Sequence, residues 1–385
     1  MAFADGATRF RVGPTDRNRS GKNTNMRIVI LARETDNHAT PVKWGLEQAG
    51  YSAACWGGLG WPEDQQASVS LGAGTGITLG PHLLEPGDVL WMRRLQPAAL
   101  HPEVCEADRK FAEEEYRWFH YSLMYLLEKL PVTCINGYAA SRLINNKSVQ
   151  LLLAGKCGLN IPRTLMSNSP AAVRSFLQQR GGRTICKAFF PHVWQREGSS
   201  SMAVTETFEL IPETLPNDDV LTFAPAIYQE MVVKQFDVRM VLMGTSIYSF
   251  AVRDPKGALD WRQDACQGLI QVETIHTPAD VERGVLAFAQ QSGIVFGSFD
   301  FAVDMRGRWW FLEVNEQGQF LWLDEFCPGA KLMPRFQAFL TSAPSSSQAI
   351  EERACLFPTL EDYLRAVPKQ LREKSPSAQV VSTES

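Results

Sequence analysis

The chain has 385 residues, enough to bury a large core and to form two or three domains. Apolar residues make up 45% and charged residues 21%, and a net charge of -4 leaves out the basic surface that a nucleic-acid partner needs. No run of about 18 apolar residues occurs, so no membrane span is expected, and the polar, Arg/Asn-rich start holds no signal-peptide core.

Residues 1–25 read as a disordered leader, with Met26 opening the fold. Arg27 to Arg33 is a near-continuous apolar run, the pattern of a strand buried on both faces. A helix over Pro41–Gln48, closed by Gly50, leads to a second strand at Tyr51–Trp56, and Asp88–Arg94 makes a third. That alternation predicts a small α/β domain with a parallel sheet over residues 26–140. Gly57–Gly80 between them is Gly/Ser-rich and reads as a loop with short strands. Glu106–Leu130 is a long amphipathic helix with Phe111, Tyr116, Phe119, Leu123 and Leu127 on its apolar side. Pro131 ends it, and a short strand follows at Val132–Ile135.

A second unit, residues 141–233, opens with a helix from Asn146 to Gly158, and Ser169-Pro170 caps and starts another. Thr184–Ala188 is a strand with Lys187 in it, Glu197-Gly198-Ser199-Ser200-Ser201 is a polar segment suited to a mobile flap, and Ala226–Val233 is a strand carrying Gln229-Glu230. The third unit, residues 234–342, begins with a hairpin, Asp237–Met243 and Ile247–Arg253 around Gly244-Thr245, which sets Asp237 and Arg239 on one face. A helix starts at Thr277-Pro278-Ala279-Asp280 and buries Val281, Val285 and Phe288. After a further hairpin at 297–319, Leu332–Phe339 reads as a helix. Residues 343–385 read as a Ser-rich linker over 343–349, a helix over Leu360–Leu371 and a disordered tail.

The hairpin Gly297–Gln319 carries the sharpest chemistry. Aromatic and β-branched residues flank a tight turn at Arg306-Gly307. With a two-residue turn, antiparallel pairing sets Asp300 opposite Glu313, Phe301 opposite Leu312 and Val303 opposite Trp310. Strand alternation then gathers Asp300, Glu313 and Asn315 on one face and sends Leu312 and Val314 to the other. Two carboxylates and an amide are hard oxygen donors, suited to magnesium better than to zinc. The apolar run Trp309–Leu312 leading into Glu313 argues that this carboxylate is buried and partnered. Other chemistries lack support. There is no P-loop, no Gly-x-Ser-x-Gly elbow and no His-Glu-x-x-His motif, and the six histidines sit in unrelated contexts. The eight cysteines are scattered, without Cys-x-x-Cys or zinc-like spacing, and read as reduced thiols of a cytoplasmic protein.

An ordered set of residues remains: Lys147 before a helix, Lys187 in a strand, Tyr228-Gln229-Glu230-Met231-Val232-Val233-Lys234, Asp237-Val238-Arg239, Asp260-Trp261-Arg262, Gly297–Phe301 and Phe311–Gln319. That order resembles the ATP-grasp carboxylate–amine ligases. It is most similar to the microviridin-type, or graspetide, peptide macrocyclases, which are related to the ribosomal-protein glutamate ligase. Trp91-Met92-Arg93-Arg94 and Leu159–Leu165 are also similar to that branch, and the resemblance spans roughly Arg27 to Pro334.

The resemblance implies an α/β (α+β) architecture, with an N-terminal pre-ATP-grasp domain and central and C-terminal ATP-grasp domains enclosing the nucleotide between two sheets. It implies that Lys147 and Lys187 contact ATP phosphates, and that Glu230, with the Met231 and Val232 backbone, forms the adenine hinge. By the same resemblance Asp237 accepts from the ribose hydroxyls, and Asp300, Glu313 and Asn315 hold Mg2+. Arg239, Arg253 and Arg262 are candidates for the γ-phosphate and the acyl phosphate. The implied activity is ATP-dependent activation of a carboxylate, then ester or amide bond formation in a precursor peptide that carries a leader. Two rivals stand beside it: a ligase for a free amino acid or a protein tail, and a non-catalytic nucleotide- or peptide-binding scaffold. A homodimer is the common arrangement for such a chain.

Overall fold

The computed structural model describes residues 26–369, apart from 62, 73, 180–182, 191–192, 196–201, 205–206, 212–214, 266 and 343–346. The polar 197–201 segment therefore lies outside the described residues. The chain begins with β1 (Arg27–Ala32), α1 (Ala39–Gln48) and β2 (Ser52–Cys55), then an antiparallel insert of β3 (Ala67–Ser70), β4 (Gly76–Leu79) and β5 (His82–Leu83). It continues with β6 (Val89–Arg94), α2 (Glu106–Leu127), β7 (Thr133–Ile135) and α3 (Tyr138–Ile144). Strands β2-β1-β6-β7 form a parallel sheet, and both faces of β1 are buried, as its apolar run requires.

On α2 the structure departs from the periodicity. Leu123, Met124 and Leu127 are buried, but Phe111 is 69% exposed. The reason is length: 22 helical residues span about 33 Å, whereas the six-residue strands they cover reach only about 20 Å. The amino-terminal turns of α2 outrun the sheet.

The central unit contains α4 (Lys147–Lys156), β8 (Thr164–Ser167), α5 (Pro170–Gln178), β9 (Thr184–Lys187), β10 (Val193–Gln195), β11 (Met202–Val204), β12 (Phe208–Leu210), α6 (Asp218–Phe223) and β13 (Ala226–Glu230). Strands β12-β9-β13-β8 form an antiparallel sheet, and β10 and β11 form a separate ribbon. Ser169 accepts from the Ala172 N–H with Pro170 in the first turn, as the sequence predicts.

The last unit comprises β14 (Lys234–Met243), β15 (Ser246–Arg253), α7 (Arg262–Ala265), β16 (Gln271–Ile275), α8 (Ala279–Ser292), β17 (Phe296–Asp304), β18 (Trp309–Asn315), α9 (Trp322–Phe326), α10 (Leu332–Leu340), α11 (Ser347–Ala354) and α12 (Leu360–Ala366). Its five-stranded antiparallel sheet has the order β16-β15-β14-β17-β18. One face, with Val238, Met240, Phe299, Phe301, Phe311 and Val314, packs on α4 and α8. The opposite face is divided. At one end Val241, Met243, Phe250 and Phe296 join a core shared with the parallel sheet and with α10. At the other end lie Asp237, Arg239 and Asp300.

Residues 347–369 belong to the fold. Helix α11 begins inside the Ser-rich stretch, and Ile350, Ala354, Phe357, Leu360 and Tyr363 are buried in the shared core. Helix α12 ends at Ala366, ahead of Pro368, rather than at Leu371. Among the described residues, no helix is long and apolar enough to cross a membrane.

Asn136 and Phe336 are among the residues that join the N-terminal unit to the last unit. The buried Asn136 side chain uses all four of its hydrogen-bonding positions. It donates to the carbonyls of Phe296 (2.8 Å) and Glu316 (3.0 Å) and accepts from the N–H groups of Val295 (2.7 Å) and Phe296 (2.9 Å). Phe336 of α10 is fully buried, with ring centroids 4.7 Å from Trp91, 4.8 Å from Phe296 and 4.9 Å from Phe320. Phe336→Ala is expected to lower the unfolding free energy by about 3–5 kcal/mol, as read in urea denaturation. A loss below about 1 kcal/mol would mean that this aromatic cluster does not join the two units.

Candidate active site

The hairpin of β17 and β18 differs from strict alternation in two places. Gly307, with φ of 77°, occupies the left-handed position of a three-residue loop over Met305–Gly307, so the turn is longer than the two residues expected. Asp300 does pair with Glu313, but a bulge follows: Phe301 pairs with Phe311, Ala302 with Trp310 and Val303 with Trp309. Leu312 is the extra residue. The bulge lets Phe311 and Val314 both enter the core while Glu313 keeps to the face of Asp300. Without it, alternation would swing Phe311 into the site.

Across β14, β17 and β18, Arg239 pairs with Asp300 and Asp300 with Glu313. The three side chains form a row at strand spacing, about 4.8 Å per step. Arg239 Nη1 donates to both oxygens of Asp300 (2.8 and 3.0 Å), and its Nη2 donates to the Gln319 carbonyl (2.9 Å). The Asp-Trp-Arg motif supplies the next cation. Trp261 is buried against Trp322, with ring centroids 5.1 Å apart. Asp260 accepts from the Arg262 N–H (3.0 Å), and the Arg262 guanidinium reaches Asp300 (3.1 Å) and Glu313 (3.6 Å).

Lys147 opens α4, capped by Asn146, whose side chain accepts from the N–H groups of Ser148 and Val149. Its Nζ donates to Glu313 (2.9 Å). Buried Gln150, one turn on, aligns the two elements. It donates to the Val314 carbonyl (2.9 Å) and accepts from the Val314 N–H (3.0 Å), which satisfies the outer edge of β18. From the facing central sheet, Lys187 feels the charges of Glu313, Lys147 and Arg262. The two antiparallel sheets thus meet over one cluster of Lys147, Lys187, Arg239 and Arg262 against the carboxylates Asp300 and Glu313. With Asp260 also paired to the Arg262 guanidinium (3.3 Å), four cations face three anions, and the one excess positive charge suits an anionic ligand.

Burial sets the protonation of the cluster. Lys147 beside it holds Glu313 well below the usual carboxylate range, against burial and with help from Arg262 and Lys187. Burial pushes Asp300 up, against both guanidiniums, and the Glu313 charge adds to the push. Burial brings the Lys187 ammonium down to about 8. Asp237 rises to about 6 through burial and the nearby Asp300 charge, opposed by Lys234, whose Nζ donates to it at 2.6 Å.

Among the described residues, no three His, Cys, Asp or Glu side chains converge as a metal group. The trio Asp300, Glu313 and Asn315 consists instead of two carboxylates and an amide. Asp300 and Glu313 stand on paired strands, the Glu313 charge adds to the push on Asp300, and hard oxygen donors of this kind are what a divalent cation takes.

The structure brings together Lys147, Lys187, Arg239, Arg262, Asp300 and Glu313. Asn315 follows at the end of β18, opposite Ser298, and Asp237 lies two residues from Arg239 on the same face. At the end of β13, the Glu230 and Met231 N–H groups already donate to the carbonyls of Arg163 and Arg183 (both 2.9 Å). Arg253 is placed elsewhere. Asp237 pairs with Val252, so Arg253 points to the other face, over the Phe236 ring at 4.3 Å and paired with Glu273 (3.0 Å). Sequence reasoning quoted Lys234 and Arg93 within motifs but gave neither a role, and it missed Gln150, Asn136 and His38. Of these, Lys234 had a local signal, its Lys-x-x-Asp spacing to Asp237.

The N-terminal unit holds the 316–321 segment. Arg93 donates to the Gln317 carbonyl, and His38 Nε2 accepts from the N–H groups of Phe320 (2.9 Å) and Leu321 (3.1 Å). Burial, with the nearby Arg93 charge, keeps His38 neutral and able to accept.

No family model matches the chain, and no curated protein matches it. Solved structures do. A RiPP-associated ATP-grasp ligase of Chryseobacterium gregarium, in complex with ADP and a leader and core peptide, superposes with a TM-score of 0.70 at 20% identity, over 83% of this chain and 96% of that one. A macrocyclase from Microcystis aeruginosa MRC, bound with a precursor peptide, gives 0.64 at 25% identity, over 83% and 100%. An ATP-grasp ligase complexed with a minimal precursor, Mg and ADP gives 0.60 at 21%, over 82% and 98%. With its parallel N-terminal sheet, two antiparallel sheets meeting over a charged cluster, and coverage of nearly the whole length of these relatives, the chain has the ATP-grasp fold in the form taken by ligases and macrocyclases of ribosomally made peptides.

Proposed function

We propose that this chain is an ADP-forming ligase that activates an Asp or Glu side-chain carboxylate of a precursor peptide and joins it to a hydroxyl or amine of that peptide. The observation that carries the reading is the excess of cations over carboxylates where the two sheets meet. A polyphosphate fits that imbalance, and the relatives bound to ADP and to peptides support the two substrates.

The substrate carboxylate attacks the γ-phosphorus of ATP, forming an acyl phosphate and releasing ADP. A hydroxyl or amine then attacks the acyl carbon, and phosphate leaves as the ester or amide forms. No covalent bond to the enzyme is needed. Lys147 and Lys187 contact the phosphates, and Arg262, held by Asp260 and Trp261, meets the transferring phosphoryl group. Arg239 holds Asp300 in place. Met231 has its N–H engaged in the fold, so the Val232 N–H and the hinge carbonyls are what the segment offers adenine. Asp237, aligned by Lys234, accepts from the ribose. Asp300, Glu313 and Asn315 would hold magnesium, which when bound screens the phosphate oxygens.

Incubation with ATP and a candidate precursor should give acceptor-dependent ADP and a peptide lighter by water. Gain of an amino-acid mass would instead indicate a ligase for free amino acids. Glu313→Gln should lower kcat about 100-fold or more while the thermal transition is retained; full activity would remove Glu313 from the chemistry. Arg262→Gln should behave similarly, whereas Arg253→Gln should leave kcat/KM within about twofold because its side chain lies on the other face. The pH dependence follows from Lys187. A lysine carries its charge below its pKa, so kcat/KM for ATP should fall as pH rises through about 8. Lys187→Arg should remove that alkaline limb, since a guanidinium stays protonated.

A further inference from the structure

Three lysines stand at the site, and they are held in different ways. Lys147 donates to the carboxylate of Glu313 (2.9 Å) and Lys234 to that of Asp237 (2.6 Å). Lys187 donates to a neutral group, the Gln229 side-chain oxygen Oε1, at 3.0 Å. Gln229 is 1% exposed and lies on β13 between β8 and β9, opposite Thr164 on one side and Ile185 on the other. Its Nε2 donates to Thr164 Oγ1 (2.8 Å), and Thr164 Oγ1 donates to the Pro162 carbonyl (2.9 Å).

The order of protons in this chain is forced. A threonine hydroxyl has one hydrogen, and here it goes to Pro162, so toward Gln229 the oxygen can only accept. The amide must then present its NH2 to Thr164 and its carbonyl oxygen to Lys187. The reverse orientation would set NH2 against ammonium, donor against donor. The link runs across three neighbouring strands and ends on a buried ammonium near Glu313, Lys147 and Arg262.

We infer that Gln229 is a positioning residue for Lys187: its amide, oriented by Thr164, holds the lysine ammonium over the site without neutralising its charge. A carboxylate at this position would hold the lysine equally well but would cancel the charge that an incoming phosphate meets. The neutral amide supplies direction alone. Lys187 is therefore the lysine of the three whose ammonium is held by a neutral group and not by a carboxylate, and Gln229 keeps it there. This rests on the proposed reading of the site as a nucleotide-phosphate site.

A double-mutant cycle on the full-length chain tests it, with ADP and magnesium as the probe, titrated by calorimetry beside thermal denaturation. Gln229→Met should weaken ADP about tenfold, the size of one hydrogen bond to a charged group. In a Lys187→Met background the same change should have an effect within about twofold, because Gln229 acts through the lysine. Thr164→Val, which removes the group that orients the amide, should weaken ADP in the same direction and lose its effect in the same background. This second variant carries the test if Gln229→Met does not fold. Gln229→Glu should also weaken ADP, since it restores a hydrogen bond but adds the cancelling charge. Loss of ADP affinity that adds fully to that of Lys187→Met, or no loss at all, overturns the role of Gln229 while leaving the site intact. If Lys187→Met itself leaves ADP affinity unchanged, the nucleotide-phosphate reading of Lys187 falls, and this inference falls with it.

Discussion

The constraint on which the site depends is the burial of Asp300. Taking a carboxylate out of water costs several kcal/mol unless charge and hydrogen bonds compensate it. Arg239 and Arg262 provide both, from different directions. Arg239 comes from the neighbouring strand and is itself buried, so it acts as a fixed part of the sheet. Arg262 comes from a short helix after a loop and remains partly exposed. One cation thus anchors the carboxylate from within the sheet and the other reaches it from the solvent side, a division that follows from where each residue stands in the chain.

The second carboxylate depends on backbone geometry. Glu313 and Phe311 take opposite faces because Leu312 is bulged out, which lets the strand satisfy the aromatic core on one side and the charged cluster on the other. The far edge of that strand is closed by Gln150 of α4, the same helix that delivers Lys147. Helix and strand are therefore held at a fixed offset, and the Lys147–Glu313 pair is set by a buried amide with three hydrogen bonds rather than by its own modest attraction. The segment after the strand is held from outside the sheet, by Asn136, Arg93 and His38 of the N-terminal unit. Those contacts give the parallel sheet a structural part in the site without supplying any residue to the charged cluster itself.

Much of this was legible in the sequence. The buried run of β1, the Ser169-Pro170 start of α5 and the Asp300–Glu313 pairing all follow from local rules, because each depends on residues close in the chain. The members of the cluster, Lys147, Lys187, Arg239, Arg262, Asp300 and Glu313, all stand in the ordered set that the sequence shows. What escaped was what period alone does not encode. The bulge at Leu312 reverses alternation for Phe311, and the length of α2 carries Phe111 beyond its sheet. Arg253 is an arginine at the end of a strand, and one residue of register decides which face it joins. The partnerships of Asn136, Gln150 and His38 span more than 150 residues of sequence and have no local signature.

The tail shows the same principle. Read by composition, the Ser-rich stretch after 342 is a linker, and short amphipathic segments beyond it carry little weight alone. In the structure Ile350, Phe357, Leu360 and Tyr363 complete the core that joins the parallel sheet to the five-stranded one. Trp44 of α1 meets Tyr363, Tyr51 stacks on Phe357, and Arg353 donates to the Tyr51 hydroxyl. Those contacts tie α1 and β2 of the N-terminal unit to the far end of the described chain. Among the described residues the central unit makes no part of that shared core, and it meets the five-stranded sheet through α4, Leu159 and the hydrogen bonds of Asn160 to Phe311 and Trp309. The N-terminal and last units are thus bound by a large apolar core, and the central sheet that bears Lys187 is bound to them by less.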